Sequence, residues 1–220
     1  MLTKWIINHL APNLCVRCGD EGALACEECS DFIATRRAET CYRCNKLSPG
    51  FRTCKRCRAH SDIRSVIVSS RFESETKQLI YMLKYENCID ASKPLAQMIY
   101  AQLSFSGTYD HLVAVPTSGA RLRQRGYNQA YEIAKKLGKM LGTKPLPCLR
   151  RVDHKEQIGA GRIARFEQVQ GSIKGTGRDL SGKRLLLVDD VVTTGATLHE
   201  CAKALKEMGA KSIDAAVVAK

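Results

Sequence analysis

Leu185–Thr197 reads LLLVDDVVTTGAT. Its leading run, Leu185 to Val188, shows no polar alternation, which is the pattern of a parallel strand buried on both faces. Asp189 and Asp190 follow where such a strand is expected to end. In open α/β sheets ligands sit outside the carboxyl ends of the strands, so this acid pair is expected to face a site rather than the core. Thr193, Thr194, Gly195, Ala196 and Thr197 bring hydroxyls, small side chains and one unrestricted backbone position just ahead of a helical pattern. Several backbone amides can converge on a phosphate there. Carboxylates for vicinal hydroxyls beside a phosphate cradle describe a ribose phosphate.

The segment resembles the phosphoribosyl pyrophosphate (PRPP) binding motif of type I phosphoribosyltransferases, unbroken through the acid pair and TTGAT. Response-regulator receiver domains also carry LLVDD, but near their start, and only thirty residues follow Asp190 here. Gly177, Gly182 and Lys183 nearly spell a nucleotide-binding P-loop. Arg184 stands where the hydroxyl residue is required, and a strand rather than a helix comes next. An acidic strand end without a ligand would need neither the glycine nor the three threonines.

The 220 residues suffice for one domain of good size and a small satellite. A formal charge of +13 points to a polyanionic partner, either nucleic acid or a highly phosphorylated small molecule. Of eleven cysteines, eight fall in four C-x2-C pairs: Cys15/Cys18, Cys26/Cys29, Cys41/Cys44 and Cys54/Cys57. Each pair puts two thiolates on one tight turn, and two turns complete a tetrahedral shell, so two structural Zn²⁺ ions are expected. Sequential pairing of neighbours, which closes the shorter loops, is expected over a cross-braced arrangement. So few large apolar side chains occur in this region that metal binding is expected to carry much of its folding. The opening MLTKWIINHLAP is too short an apolar stretch for a signal core or a membrane span. Paired cysteines without a secretory leader fit a reducing compartment, so the chain is read as cytoplasmic, with no membrane insertion.

Near His60 the cysteine pattern stops and β-branched residues begin, dividing the chain into a double zinc ribbon region, 1–60, and a larger domain, 61–220. RSVIVSSRFE reads as a strand. Glu73 to Tyr85 and Ala91 to Leu103 read as helices, and His111 to Val115 as a strand stopped by Pro116. Thr117 to Gln129 reads as a loop carrying Arg121, Arg123 and Arg125 ahead of a helix from Asn128 to Leu141. Arginines behind a strand end suit a pyrophosphate, whose charge density favours planar bidentate donors. Arg150 to Gly171 is a long polar segment with the length of an active-site lid or a disordered excursion, and its GAGRIA has no strand before it to make a dinucleotide fingerprint. Leu198 to Met208 reads as a helix closed by Gly209, and Ser212 to Val218 as the last strand. Cys88, Cys148 and Cys201 lack metal spacing and are expected to be small core residues. Alternating strands and helices predict an α/β fold with a mostly parallel sheet covered on both faces.

Proline after a strand, spaced arginines and RGYNQ are similar to the competence-related ComF family of the phosphoribosyltransferase fold, whose members carry a cysteine-rich ribbon before that domain. The same family has a glutamine followed by spaced arginines between the two signature loops, and Gln157, Arg162 and Arg165 occupy those places. Ala160, Gln168 and Ile173 depart from its pattern. The resemblance implies Mg²⁺-dependent binding of PRPP, with Asp189 and Asp190 as catalytic residues holding the ribose hydroxyls. It implies a 5′-phosphate site along Val191, Val192, Thr193, Thr194, Gly195, Ala196 and Thr197, and pyrophosphate held by Arg121 and Arg125. It also implies a link to DNA uptake or handling alongside other DNA-uptake proteins. For single-stranded DNA the ribbon offers Arg52, Lys55, Arg56 and Arg58, with Tyr42 and Phe51 nearby for stacking.

Overall fold

The structure, a computed structural model, describes residues 12–34, 39–103, 108–152 and 171–220. Gln157, Arg162, Arg165 and the GAGRIA segment lie outside the described residues, as does the chain before residue 12. In chain order the strands are β1 (Ile63–Ser70), β2 (His111–Ala114), β3 (Leu149–Arg151), β4 (Ile173–Gly175), β5 (Arg184–Val191) and β6 (Ser212–Ala219). The α-helices are α1 (Glu27–Ile33), α2 (Lys55–Arg58), α3 (Ser74–Tyr85), α4 (Ser92–Gln102), α5 (Gly119–Arg125), α6 (Gln129–Leu141) and α7 (Ala196–Glu207).

Four strands make a fully parallel sheet in the order β1-β6-β5-β2. The apolar run Leu185–Val188 is its interior, where all four side chains are inaccessible to solvent. Strand geometry sends successive side chains to opposite faces. Leu186 and Val188 accordingly join Leu79, Leu83, Leu95, Ile99, Ile133 and Leu137 beneath α3, α4 and α6. Leu185 and Leu187 join Leu198, Cys201 and Leu205 beneath α7. Each such side chain taken fully out of water contributes about 1.5–3 kcal/mol. Parallel pairing with helices on both faces is the α/β arrangement expected.

Three elements of the larger domain were not expected as helix or strand. The arginines after β2 stand on a helix, α5, rather than a loop. The Ser118 hydroxyl accepts from the Arg121 amide at 3.3 Å to open it, and Gly126, in the left-handed region at φ 78°, closes it. Leu149–Arg151 and Ile173–Gly175 pair as an antiparallel ribbon at the two ends of the polar segment. Their three-residue length is too short for periodicity to register.

The cysteine-rich region is joined to the sheet. The Thr53 amide donates to the Arg64 carbonyl at 2.8 Å, and the Thr53 hydroxyl to the Ile63 carbonyl at 2.5 Å. Arg52 bridges to Ser65, so this segment covers the exposed edge of β1. On the first half, Cys29 and Ile33 of α1 pack into the core beneath α4. Cys148 and Cys201 are buried as expected, and Cys88 is half-buried.

Candidate functional site

The carboxyl ends of β5 and β2, the start of α6 and the helix α5 enclose a cleft of about 690 Å³. Parallel strands present their last residues on one edge, so Asp189 and Asp190 reach this edge together with Val115, Pro116 and Thr117 behind β2. RGYNQ assembles the opposite wall by local chemistry. Gly126 ends α5, Asn128 begins α6 by accepting from the Ala130 amide at 3.1 Å, and the Asn128 carboxamide nitrogen donates to the Val115 carbonyl at 2.9 Å. The Tyr127 hydroxyl donates to the Leu83 carbonyl at 2.5 Å, fastening this turn to α3. With its oxygen turned inward, the buried Gln129 carboxamide accepts from Arg125 Nε at 3.2 Å. Arg125 also lies over the Tyr85 ring, 5.2 Å from its centroid.

Of the expected ligand-site residues, Arg121, Arg125, Asp189, Asp190, Val191, Val192, Thr193 and Thr197 line this cleft. Thr194, Gly195 and Ala196 form the turn behind it. Gly195 takes the left-handed region at φ 77°, and the Thr194 hydroxyl accepts from the Ala196 amide at 3.3 Å, so α7 starts two residues earlier than its apolar pattern indicated. Sequence reasoning missed Phe72, Lys84, Arg151 and Lys220, which also line the cleft. Lys84 Nζ lies 2.8 Å from Asp190 Oδ2. Its signal was a lysine four residues after Ile80 on the inward stripe of α3, where the pattern otherwise places apolar side chains. Five cations, Lys84, Arg121, Arg125, Arg151 and Lys220, thus surround two carboxylates among the described residues.

Burial pushes the Asp189 carboxyl up to about 8, and the charge of Asp190 adds to that rise. The Asp190 amide, which donates to Asp189 Oδ1 at 2.9 Å, works against it, as do Lys84 and Arg121. A value of about 8 keeps Asp189 largely protonated at neutral pH, and a cation or hydroxyl donor reaching the pair favours its ionised form.

The eight paired cysteines form two groups, Cys15/Cys18/Cys26/Cys29 and Cys41/Cys44/Cys54/Cys57, each with its sulfurs within 4.8 Å of one another. Neighbouring pairs combine sequentially, as expected. Four sulfurs ~2.3 Å from a central Zn²⁺ would stand about 3.8 Å apart. Cys18 and Cys26 Sγ are 3.9 Å apart, and Cys44 and Cys54 Sγ 3.6 Å, so the donor sets fit the ion. Burial raises the Cys41 thiol, but backbone amides of Cys54, Cys44 and Arg43 outweigh it and hold the thiol at about 6. Burial and the thiols of Cys54, Cys44 and Cys41 push Cys57 up to about 12. One thiolate forms readily and its crowded neighbours resist the next, a conflict that a divalent cation removes.

Arg52, Lys55, Arg56 and Arg58 are all exposed, and Arg52, Lys55 and Arg58 line a groove of about 490 Å³ with Pro49 and Gly50. The aromatic residues expected beside them are not available for stacking. Tyr42 is 4% exposed and Phe51 9%, because Phe51 packs into the cluster of Leu186 and Val188 and Tyr42 into that of Leu185 and Leu187 on the other face of the sheet.

Comparison with known proteins extends this description. The chain is 26% identical over 218 residues to "Competence protein F" of Haemophilus influenzae, an alignment covering 93% of this chain and 90% of that protein. It is 25% identical over 198 residues to "Competence protein ComFC" of Streptococcus pneumoniae, covering 88% and 86%. It is 25% identical over 222 residues to "DNA utilization protein YhgH" of Salmonella typhi, covering 92% and 94%. The likeness to these proteins runs over most of the chain and so extends beyond the larger domain. The profile described as "Phosphoribosyl transferase domain" matches residues 82–220, which include every wall of the cleft except Phe72, and the chain belongs to that family.

Proposed function

We propose that the cleft binds PRPP together with Mg²⁺. One observation carries this reading: Asp189 and Asp190 at the end of β5 share a single cleft with the guanidinium groups of Arg121 and Arg125 on α5. Asp189 and Asp190 accept hydrogen bonds from the ribose hydroxyls. Val191 to Thr197 wrap the 5′-phosphate, with hydroxyls from Thr193 and Thr197 and backbone amides from the turn at the start of α7. Arg121 and Arg125 hold the pyrophosphate, Arg125 being steadied by Gln129 and Tyr85. Mg²⁺, when bound, spreads the charge of the departing pyrophosphate. The corresponding reaction is pentosyl transfer by displacement at the anomeric carbon with oxocarbenium character, in which positioning and electrostatics carry the rate. Incubation with labelled PRPP, Mg²⁺ and a panel of acceptors tests it. Pyrophosphate release that depends on an acceptor makes the chain an enzyme; tight binding without release makes it a sensor.

Each group of four cysteines holds one Zn²⁺ in this reading, within a ribbon region, 1–60, that precedes the domain 61–220. Reduced thiols fit a cytoplasmic protein; among the described residues, no helix is long and apolar enough to cross a membrane. A second reading, in which the protein handles single-stranded DNA and works with DNA-uptake proteins, is favoured by the exposed groove of Arg52, Lys55 and Arg58 with Arg56 beside it. The names of the competence and DNA-utilization relatives support that reading. Competition decides between one site and two: complete displacement of a single strand by saturating PRPP, with no effect of substituting the groove, would put the strand in the cleft.

A further inference from the structure

The residue that follows the first ligand of the second four-cysteine group is built into the phosphate turn. Tyr42 belongs to the same buried cluster as Val192 and Leu198, which bracket that turn. A methyl group placed on Gly195 would stand 2.6 Å from Tyr42 Cε2 and 2.8 Å from Cδ2, so the ring lies against the bare backbone of the turn. The residue is fixed at both ends. Its hydroxyl pairs with the Ser61 hydroxyl at 2.8 Å, and its backbone carbonyl accepts from Lys220 Nζ at 2.8 Å. Lys220 Nζ also donates to Asn45 Oδ1 at 2.5 Å, within the knuckle turn that Cys41 and Cys44 begin. The same lysine lines the cleft, and the Val192 amide donates to the Ala219 carbonyl at 3.0 Å, so the end of β6 links knuckle and turn a second time. The first four-cysteine group is seated elsewhere. Cys15 and Cys29 join the core on the other face of the sheet, beneath α4.

We infer that the second four-cysteine knuckle is part of the phosphate cradle: Tyr42 is a positioning residue that holds the 193–197 turn, and metal occupancy of Cys41/Cys44/Cys54/Cys57 sets how well that turn binds an anion. The coupling follows from packing. A ring seated on a glycine leaves the turn no room to relax in that direction, and the ring's own position is fixed by a knuckle too small to hold its shape without its ion. Loss of the ion frees the ring, and the amides of the turn lose their common aim. The ligand half of this inference rests on PRPP being the occupant of the cleft; the mechanical half does not.

The experiment separates the two halves. Amide hydrogen exchange on the ligand-free protein compares wild type, Tyr42→Ala, Tyr42→Phe, Cys44→Ser and Cys18→Ser, with zinc content measured for each, and PRPP affinity is then measured by calorimetry with Mg²⁺. Tyr42→Ala, with both ions retained, speeds exchange at residues 194–198 and weakens PRPP binding on the order of tenfold to a hundredfold, the scale of a misplaced binding group. Tyr42→Phe keeps the ring and restores both. Cys44→Ser reproduces the alanine variant after losing one ion, whereas Cys18→Ser loses the other ion and leaves exchange of the turn as in wild type. Unchanged exchange at 194–198 in zinc-loaded Tyr42→Ala overturns the inference, even where Cys44→Ser fails to fold. If wild type binds no PRPP, the function proposed above falls and the exchange data still decide the clamp.

Discussion

Asp189 and Asp190 are adjacent in sequence but differ in surroundings. Asp190 has Lys84 at 2.8 Å, while Asp189 gains an amide from its neighbour and is otherwise held by burial and like charge, with its carboxyl pushed up to about 8. Its folded value stands above its ordinary 3.8, so the folded chain retains a proton that the unfolded chain releases. The resulting stabilisation is complete below about pH 4 and is lost as pH rises through about 8. Asp189→Asn removes that loss, so the variant's thermal midpoint exceeds that of wild type at pH 9. Each kcal/mol recovered moves the midpoint about 2–4 °C in a chain of this size. Thermal scans at roughly pH 5, 7 and 9 check this, and a midpoint difference that does not grow with pH would contradict it. Asp214 shows what a structural acid looks like by contrast. It lies at the other end of the sheet, 1% exposed, and accepts from Arg64 Nε at 3.0 Å and the Ser65 hydroxyl at 2.6 Å, so its lone pairs are already engaged.

Among the elements, β5 and α5 carry the site, and they were unequally legible. β5 announced itself because a doubly buried parallel strand leaves an unbroken apolar run, and the acid pair at its end could only meet solvent or a ligand. α5 has seven residues and no buried side chain, so no apolar stripe marks it, and its arginines read as a charged loop. Lys84, Arg151 and Lys220 come from three separate places in the chain, and only folding brings them to the cleft. The same limit applied to Tyr42: an aromatic residue in a basic, cysteine-rich stretch resembled a stacking platform, while the tertiary contact with Gly195 buries it. The wall formed by α5 predicts that Arg121→Ala and Arg125→Ala each weaken PRPP binding by roughly tenfold to a hundredfold, the loss of one charge-assisted hydrogen bond of about 1.5–3 kcal/mol. Calorimetry against each variant measures it. Wild-type affinity in both variants would move the pyrophosphate elsewhere.

For the whole molecule, with its formal charge of +13, Lys84, Arg121, Arg125, Arg151 and Lys220 gather at the cleft, and Arg52, Lys55 and Arg58 gather separately on a groove of the cysteine-rich region. Two complete four-cysteine groups predict two Zn²⁺ per chain in protein prepared without chelators, and elemental analysis finding one or none would contradict that. If the groove holds a single strand, binding falls steeply with salt, and removing Arg52 or Arg58 lowers the salt slope by about 0.7 for each phosphate the side chain had neutralised. An unchanged slope would take the strand off the groove. The cysteine-rich region is also seated on the sheet edge and on the 193–197 turn, so its second four-cysteine group and the cleft belong to one packed body. The central claim is that this cleft binds PRPP through the acid pair. Its most direct test is calorimetric titration of PRPP with Mg²⁺ into wild type and into folded Asp189→Ala/Asp190→Ala. The account predicts saturable binding at one site per chain in wild type and none in the double variant; the same affinity in both would contradict it.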